Sequence, residues 1–121
     1  MQGGINYMDK IRLFKVFSND IRLKIFEFLL EGPMCVSVIV NKLNVSQPTV
    51  TQHLKELQHI GLVKAKKIGF WVHYSIDKTG LSKAKRELEE FAKSLKIENT
   101  ECKFNHDLCP KIKKRIGRKL R

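Results

Sequence analysis

Long hydrophobic runs and acidic side chains are both scarce in this sequence. No apolar run approaches the roughly 20 residues that a membrane-spanning helix needs, and the N-terminus lacks the hydrophobic region of a signal peptide. We therefore expect a cytoplasmic protein with no membrane partner. The length of 121 residues is typical of one domain that buries its core without needing disulfides.

Catalytic motifs and cysteines are equally sparse. The sequence has no glycine-rich phosphate loop, no paired carboxylates in a plausible cleft and no nucleophile with an evident base, so we do not expect an enzyme. Its three cysteines are Cys35, Cys102 and Cys109, and an odd number argues against a structural disulfide framework. In a cytoplasmic protein we expect these thiols to be reduced.

Positive charge is what the chain has in excess. Lys and Arg number 24 against 12 Asp and Glu, which gives a formal net charge of +12 and a pI of about 9.9. This balance favours a polyanionic partner, nucleic acid in preference to an anionic membrane surface. Seven of the 24 basic residues lie in 110–121, without an acidic residue among them. That tail is interpreted as a short helix that forms on DNA or as a disordered, solubilising end.

Hydrophobic spacing and capping residues predict a mainly α-helical fold with one β-hairpin. Helices are expected at about 8–17, 21–30, 36–43, 47–60 and 78–95. Strands are expected at 62–66 and 70–76, joined across 67–69. Because only three residues separate the third and fourth helices, this pair has the organisation of a helix-turn-helix.

The fourth helix is the element around which the other parts of the chain are arranged. Ser46 is suited to cap its start, Pro48 fits its first turn, and Gly61 is suited to end it. Between these signals one apolar stripe faces the core, formed by Val50, Leu54, Leu57 and Ile60. The opposite face is polar.

Short hydrogen-bonding side chains and one lysine make up that polar face. Glutamine can pair with adenine, and serine or threonine can bond to several acceptors, so such a face can recognise base edges. The residues predicted to read bases are Gln47, Thr49, Thr51 and Gln52, and Ser46 is also predicted to bind DNA. Those predicted to contact phosphates are Lys55 on the helix and Lys64, Lys66 and Lys67 on the hairpin. The alternative is an ordinary solvated face, with hairpin lysines that only give solubility.

The last predicted helix has an apolar stripe longer than the preceding elements can cover. Its members are Leu81, Ala84, Leu88, Phe91 and Leu95. We expect part of this stripe, with Ile11 and Phe14 of the first helix, to pack against a second copy of the chain.

Four stretches carry a family pattern: NDIRLKI at 19–25, LNVSQPTVTQHLKEL at 43–57, GLV at 61–63 and GFWVHY at 69–74. In order and spacing they resemble the ArsR/SmtB family of metal-sensing repressors, over roughly 8–95. The resemblance implies a winged helix-turn-helix domain that forms a homodimer through its first and last helices. It also implies binding to a double-stranded DNA operator, released by an inducing ion, and it suggests that His53 and Gly61 are fold positions. Residues 96–121 form a C-terminal extension beyond this domain.

The predicted effector site departs from the family pattern. Many family members place Cys-Val-Cys at the start of the third helix, where this chain has Cys35-Val36-Ser37, and the last helix lacks the histidines of the family's zinc site. In the extension, Cys102, His106 and Cys109 fall at i, i+4 and i+7, which on a helix would share one face. With Cys35 or His106 as the third ligand, these cysteines suit a thiophilic ion such as As(III), Cd(II) or Hg(II), or else Zn(II).

Three functions are compatible with these sequence features. The first is a DNA-binding repressor whose operator affinity is controlled by an ion bound at Cys35, Cys102, His106 and Cys109. The second is a thiol redox sensor with a Cys102–Cys109 disulfide, although helical spacing would hold the two Cα atoms about 10 Å apart, too far for a bridge. The third is a constitutive architectural DNA-binding protein whose cysteines only pack or hold a structural zinc.

Overall fold

The computed structural model describes residues 9–98, 100 and 101, and within them it contains five helices and three strands. In chain order they are α1 (Lys10–Phe17), α2 (Asp20–Glu31), β1 (Met34–Cys35), α3 (Val36–Leu43), α4 (Gln47–His59), β2 (Val63–Ile68), β3 (Trp71–Ile76) and α5 (Lys78–Ser94). This confirms the predicted mainly α-helical fold with a hairpin. Among the described residues, no helix is long and apolar enough to cross a membrane.

One hydrophobic core joins the inner faces of the helices to the base of the hairpin. Its buried members are Leu13, Ile25, Phe26, Leu29, Ile39, Val50, Leu54, Leu57, Ile60, Leu62, Val63 and Ala84. The stripe predicted for α4 is therefore buried in full, and it holds this helix against α2 and α3. Since the apolar face is fixed in this way, the polar face of α4 must point outward.

Helix α1 makes apolar contacts on two of its faces. Leu13, which was not predicted as a core residue, is fully buried, whereas Ile11, which is predicted to pack against a second copy of the chain, is 55% exposed. Leu13 belongs to the core, whereas Phe14 packs against Phe91 of α5 with ring centroids 5.2 Å apart in an edge-on geometry. A short helix wedged between two neighbours has two contact faces, and a single stripe describes only one of them.

The sheet has three antiparallel strands in the order β1-β3-β2. The two-residue strand β1 was not predicted, and it pairs Met34 with Tyr74 and Cys35 with His73. The hairpin turn was predicted across 67–69, but Ile68 pairs with Trp71, so the turn contains only Gly69 and Phe70. Gly69 has a φ of +63° and Phe70 does not have a positive φ, as in a type II′ turn, which matches the twist of the strands.

The junction between α4 and α5 is formed by backbone atoms. After α4, the Gly61 N–H donates to the Gln58 carbonyl (3.0 Å) and the Leu62 N–H to the Leu57 carbonyl (3.0 Å), a Schellman arrangement with Gly61 at φ +92°. Gly80 in the first turn of α5 lies so close to Gly61 that a Cβ on Gly80 would collide with the Gly61 carbonyl. The end of α4 and the start of α5 are thus in direct contact.

Candidate nucleic-acid interface

Local capping fixes the direction in which α4 leaves the turn after α3. Asn44 ends α3 in the left-handed conformation (φ 55°, ψ 44°), and its N–H donates to the Val40 carbonyl (2.8 Å). Ser46 then caps α4, because its hydroxyl accepts from the Thr49 N–H at 3.3 Å. Ser46 was predicted for this position, and together with Asn44 it makes the tight turn of the helix-turn-helix.

Four of the predicted DNA-binding residues lie together on the outer face of α4. Gln47, Thr51, Gln52 and Lys55 line one shallow surface depression with Pro48. In this structure the Gln52 side-chain amide donates to the Glu56 carboxylate at 3.2 Å, a contact within the helix. That exposed contact holds the Gln52 side chain along the helix surface, and a base edge could replace the carboxylate as its partner.

The other two predicted residues on this segment make contacts with each other. The hydroxyls of Ser46 and Thr49 are 2.8 Å apart. Thr49 is half-buried, whereas Ser46 is exposed. Their hydroxyls are therefore partly committed to the cap, and a role for either in recognising bases stays a prediction.

The three predicted hairpin lysines are all exposed on β2. In the register of the hairpin, Lys64 pairs with Ser75 and Lys66 with His73, so these two lysines share one face of the sheet. Lys67 pairs with Val72 on the other face and precedes the turn by one residue. Lys66 and Lys67 therefore lie near the turn of this hairpin, which we call the wing, and Lys64 lies near its base.

Arg22 of α2 makes hydrogen bonds to α1 and to α4 that the sequence analysis did not predict. The Arg22 side chain donates to the Val16 carbonyl (2.6 Å), to the Lys15 carbonyl (3.3 Å) and to Nδ1 of His53 (3.3 Å). Since arginine can only donate, Nδ1 of His53 accepts, and the ring is neutral with its proton on Nε2. Burial and the Arg22 charge lower the pKa of His53, in opposition to Glu56 and Asp20. Arg22 thus connects the end of α1 to the recognition helix.

Cys35 occupies the N-cap position of α3, beside the polar face of α4. Its thiol lies 3.2 Å from the Ser37 hydroxyl, and that hydrogen bond and the Val38 N–H lower the pKa of Cys35. Across the sheet Cys35 pairs with His73, a neighbour that the sequence analysis missed because β1 is too short to carry a pattern. Cys35 is therefore a partly exposed thiol with a raised thiolate fraction.

A groove of about 420 Å³ joins Cys35 to both parts of the candidate interface. It is lined by Cys35, Val36, Ser37, Gln47, Thr51, Phe70, Trp71, Val72 and Tyr74. Residues of α4 form one wall and residues of the wing form another. Any group bound at Cys35 would therefore lie next to predicted base-reading side chains.

The predicted metal ligands are Cys35 on the domain and three residues of the C-terminal extension. Cys102, His106 and Cys109 lie outside the described residues, as does the basic tail. Within 9–98, 100 and 101, no three His, Cys, Asp or Glu side chains are grouped so that they could hold a metal ion. Cys35 alone among the predicted ligands has a described position.

The sequence is similar to known transcriptional regulators. Residues 19–65 match the family model described as bacterial regulatory protein, arsR family. An uncharacterised HTH-type transcriptional regulator of Methanocaldococcus jannaschii is 42% identical over 71 residues, which cover 58% of this chain and 80% of that protein. A cadmium resistance transcriptional regulatory protein CadC homolog of Staphylococcus aureus is 41% identical over 73 residues, or 60% of each chain.

A solved structure agrees with this assignment. The ArsR-like transcriptional regulator from Rhodococcus sp. RHA1 superimposes with a TM-score of 0.61 at 28% identity, over 69% of this chain and 79% of that one. The predicted winged helix-turn-helix fold is therefore confirmed.

Proposed function

Because this chain belongs to the ArsR family of transcriptional regulators, we propose that it is a cytoplasmic repressor that releases its operator DNA when a thiophilic ion binds. The observation that carries the DNA-binding part is the cluster of Gln47, Thr51, Gln52 and Lys55 on the exposed face of α4. A helix with an apolar back fixed in the core and a hydrogen-bonding front is suited to enter the major groove. Ser46 and Thr49 complete the proposed set at the start of the helix.

The wing supplies contacts to the DNA backbone in this proposal. Lys64, Lys66 and Lys67 are exposed, and no ion pair to these lysines is present among the described residues. Together with Lys55 they would contact phosphates on either side of the groove that α4 enters. Each neutralised phosphate contributes about one unit to the salt dependence of binding.

A homodimer is proposed through α1 and α5. Phe14 and Phe91 already pack together within one subunit, and Ile11 (55% exposed) and Leu95 (66% exposed) extend an apolar surface beside them. A second copy related by two-fold symmetry would cover this surface. Its two recognition helices would then meet successive major grooves about 34 Å apart, which requires an imperfectly palindromic operator.

The proposed effector is a thiophilic metal or metalloid ion, As(III), Cd(II), Hg(II) or Zn(II). Cys35 is the described candidate ligand, and its lowered pKa favours the thiolate that such ions require. Cys102 and Cys109 of the extension are proposed to supply further sulfurs, with His106 as an alternative donor. The S. aureus relative is named for cadmium resistance, which supports this choice of ion class.

The groove between α4 and the wing could couple ion binding at Cys35 to DNA affinity. An ion held at Cys35 lies beside Gln47 and Thr51, and tethering the extension there would change the surface presented to the operator. A hundredfold loss of DNA affinity needs only about 2.7 kcal/mol of coupling, within the usual range. By linkage, the ion must bind the free protein a hundredfold more tightly than the DNA-bound protein.

The test is a titration of the reduced protein with Cd(II) or Hg(II), followed by an operator-binding assay. Ultraviolet thiolate-to-metal absorption should appear together with loss of DNA affinity, and both should disappear in the Cys35→Ser and Cys102→Ser/Cys109→Ser variants. Release by the triple variant at the parent's ion concentration would reject cysteine control. Release of DNA by an oxidant but by no ion would favour the redox function, and a DNA affinity that neither changes would favour an architectural role.

Sedimentation showing a monomer at micromolar concentration would reject the proposed dimer and the palindromic operator.

A further inference from the structure

The tip of the wing carries an unusual concentration of exposed apolar side chains. Phe70 is 99% exposed, Trp71 is 62% exposed, and Ile68 and Val72 beside them are also exposed. These residues lie among lysines at the end of a hairpin, with no covering element among the described residues. Single exposed apolar side chains are ordinary on protein surfaces, but a contiguous group of them commonly marks a binding site.

The geometry of the turn points Phe70 away from the body of the protein. The turn contains only Gly69 and Phe70, and Gly69 has no side chain, so the tip is narrow and ends in one aromatic ring. The wing also forms one wall of the groove whose other wall includes Gln47 and Thr51 of α4. When α4 occupies a major groove, the wing tip therefore lies beside it, over the neighbouring backbone and minor groove.

We propose that Phe70 is an aromatic wedge that inserts between base pairs from the minor groove next to the site contacted by α4. This inference rests on the proposed DNA-binding function and adds to it a residue that unstacks and bends the operator. Apolar side chains at narrow protein tips unstack base steps in this way, and they do so most readily at flexible pyrimidine–purine steps. Phe70 would thereby add sequence preference at positions that α4 does not reach.

Charge identifies duplex DNA as the occupant. Lys66 and Lys67 flank the tip on opposite faces of the hairpin, where they can each reach a phosphate on one side of a minor groove about 6 Å wide. A second copy of this chain, with its net charge of +12, would bring further cations against them. An apolar ring between two cations is suited to a ligand that offers stacked bases between two rows of phosphates.

The experiment uses a duplex that the parent protein selects from a random-sequence pool. 2-Aminopurine is placed in turn at positions flanking the protected major groove, because its fluorescence rises when a base is unstacked. Trp71 is the only tryptophan of the chain, so its emission reports independently on the wing. The parent should raise 2-aminopurine fluorescence at one flanking step, change the emission of Trp71 and bend the duplex in a phasing assay.

Three variants distinguish the contribution of the aromatic ring from the contribution of charge. Phe70→Ala should abolish the 2-aminopurine signal and the bend and weaken binding about tenfold or more, with an unchanged salt slope because no charge is lost. Lys67→Gln should lower the salt slope by about one unit and keep both signals. Phe70→Leu, which retains an apolar wedge, should recover part of the signal. Since Phe70 is exposed, folding should be unaffected.

A failure of the wedge proposal can be distinguished from a failure of the proposed DNA-binding function. If the parent selects no duplex from the pool, the proposed DNA-binding function is wrong and the wedge with it. If the parent binds DNA and Phe70→Ala keeps the unstacking signal and the affinity, only the wedge is wrong. A change in sedimentation of Phe70→Ala without DNA would show that a second copy covers the ring, and would likewise overturn the inference.

Discussion

Replacement of Arg22 by methionine should destabilise the whole domain. The guanidinium donates at 2.6 Å to the Val16 carbonyl near the end of α1, and at 3.3 Å to Nδ1 of His53 on α4. Hydrogen bonds to charged groups contribute about 1.5–3 kcal/mol, and a cation at a helix C-terminus adds about 0.3–1 kcal/mol. Methionine keeps the apolar stem, so the lost free energy of unfolding should be the polar part, about 2–3 kcal/mol.

Urea unfolding followed by circular dichroism measures this loss. The midpoint should fall while the m-value stays unchanged, because the surface exposed on unfolding is nearly the same. Lys24→Met is the matched control, since Lys24 is an exposed cation on the same helix and the charge change is identical. Both proteins must be compared at one concentration, because a dimer's stability depends on it. Equal losses in the two variants would show that the Arg22 contacts contribute nothing beyond net charge.

Three further predictions follow from single contacts. Burial lowers the pKa of His53, so as the pH falls the unfolded chain binds this proton before the folded protein does. The free energy of unfolding should therefore be constant above about pH 6.5 and decrease below it. In acid titrations followed by circular dichroism, His53→Gln should make that decrease smaller. Gly80→Ala should destabilise by about 1–3 kcal/mol in thermal unfolding, although alanine favours a helix by about 1 kcal/mol, because its Cβ meets the Gly61 carbonyl; a stabilised variant would disprove the close approach. Ser37→Ala should slow alkylation of Cys35 by iodoacetamide at neutral pH, measured by mass spectrometry of the modified peptide, and an unchanged rate would show that the hydroxyl does not stabilise the thiolate.

Features set by neighbours in sequence could be predicted. Ser46 caps α4 through a hydrogen bond to the third residue along, and Asn44 and Gly61 adopt the left-handed conformation that their types favour. The stripe of α4 follows from helical spacing alone. Each of these signals relates residues no more than about five positions apart, so the local sequence contains them completely.

Features that depend on distant pairing could not be predicted. The strand β1 exists because Met34 meets Tyr74, and two residues carry no periodicity of their own. Arg22 and His53 are 31 residues apart, and nothing local to either predicts their contact. The same limit applies to the candidate site: the polar face of α4 could be derived from spacing, but the groove that brings Cys35 to it arises from the sheet.

The contact between Gly61 and Gly80 limits how a signal can act on DNA. Where two backbones touch without intervening side chains, no side-chain rotation can absorb a displacement, so the start of α5 and the end of α4 must move together. A displacement imposed on α5 at the proposed two-fold axis is then passed directly to the C-terminal end of α4. The spacing of two recognition helices would accordingly change by rotation of whole subunits about the axis, and hinge bending inside a subunit would contribute little.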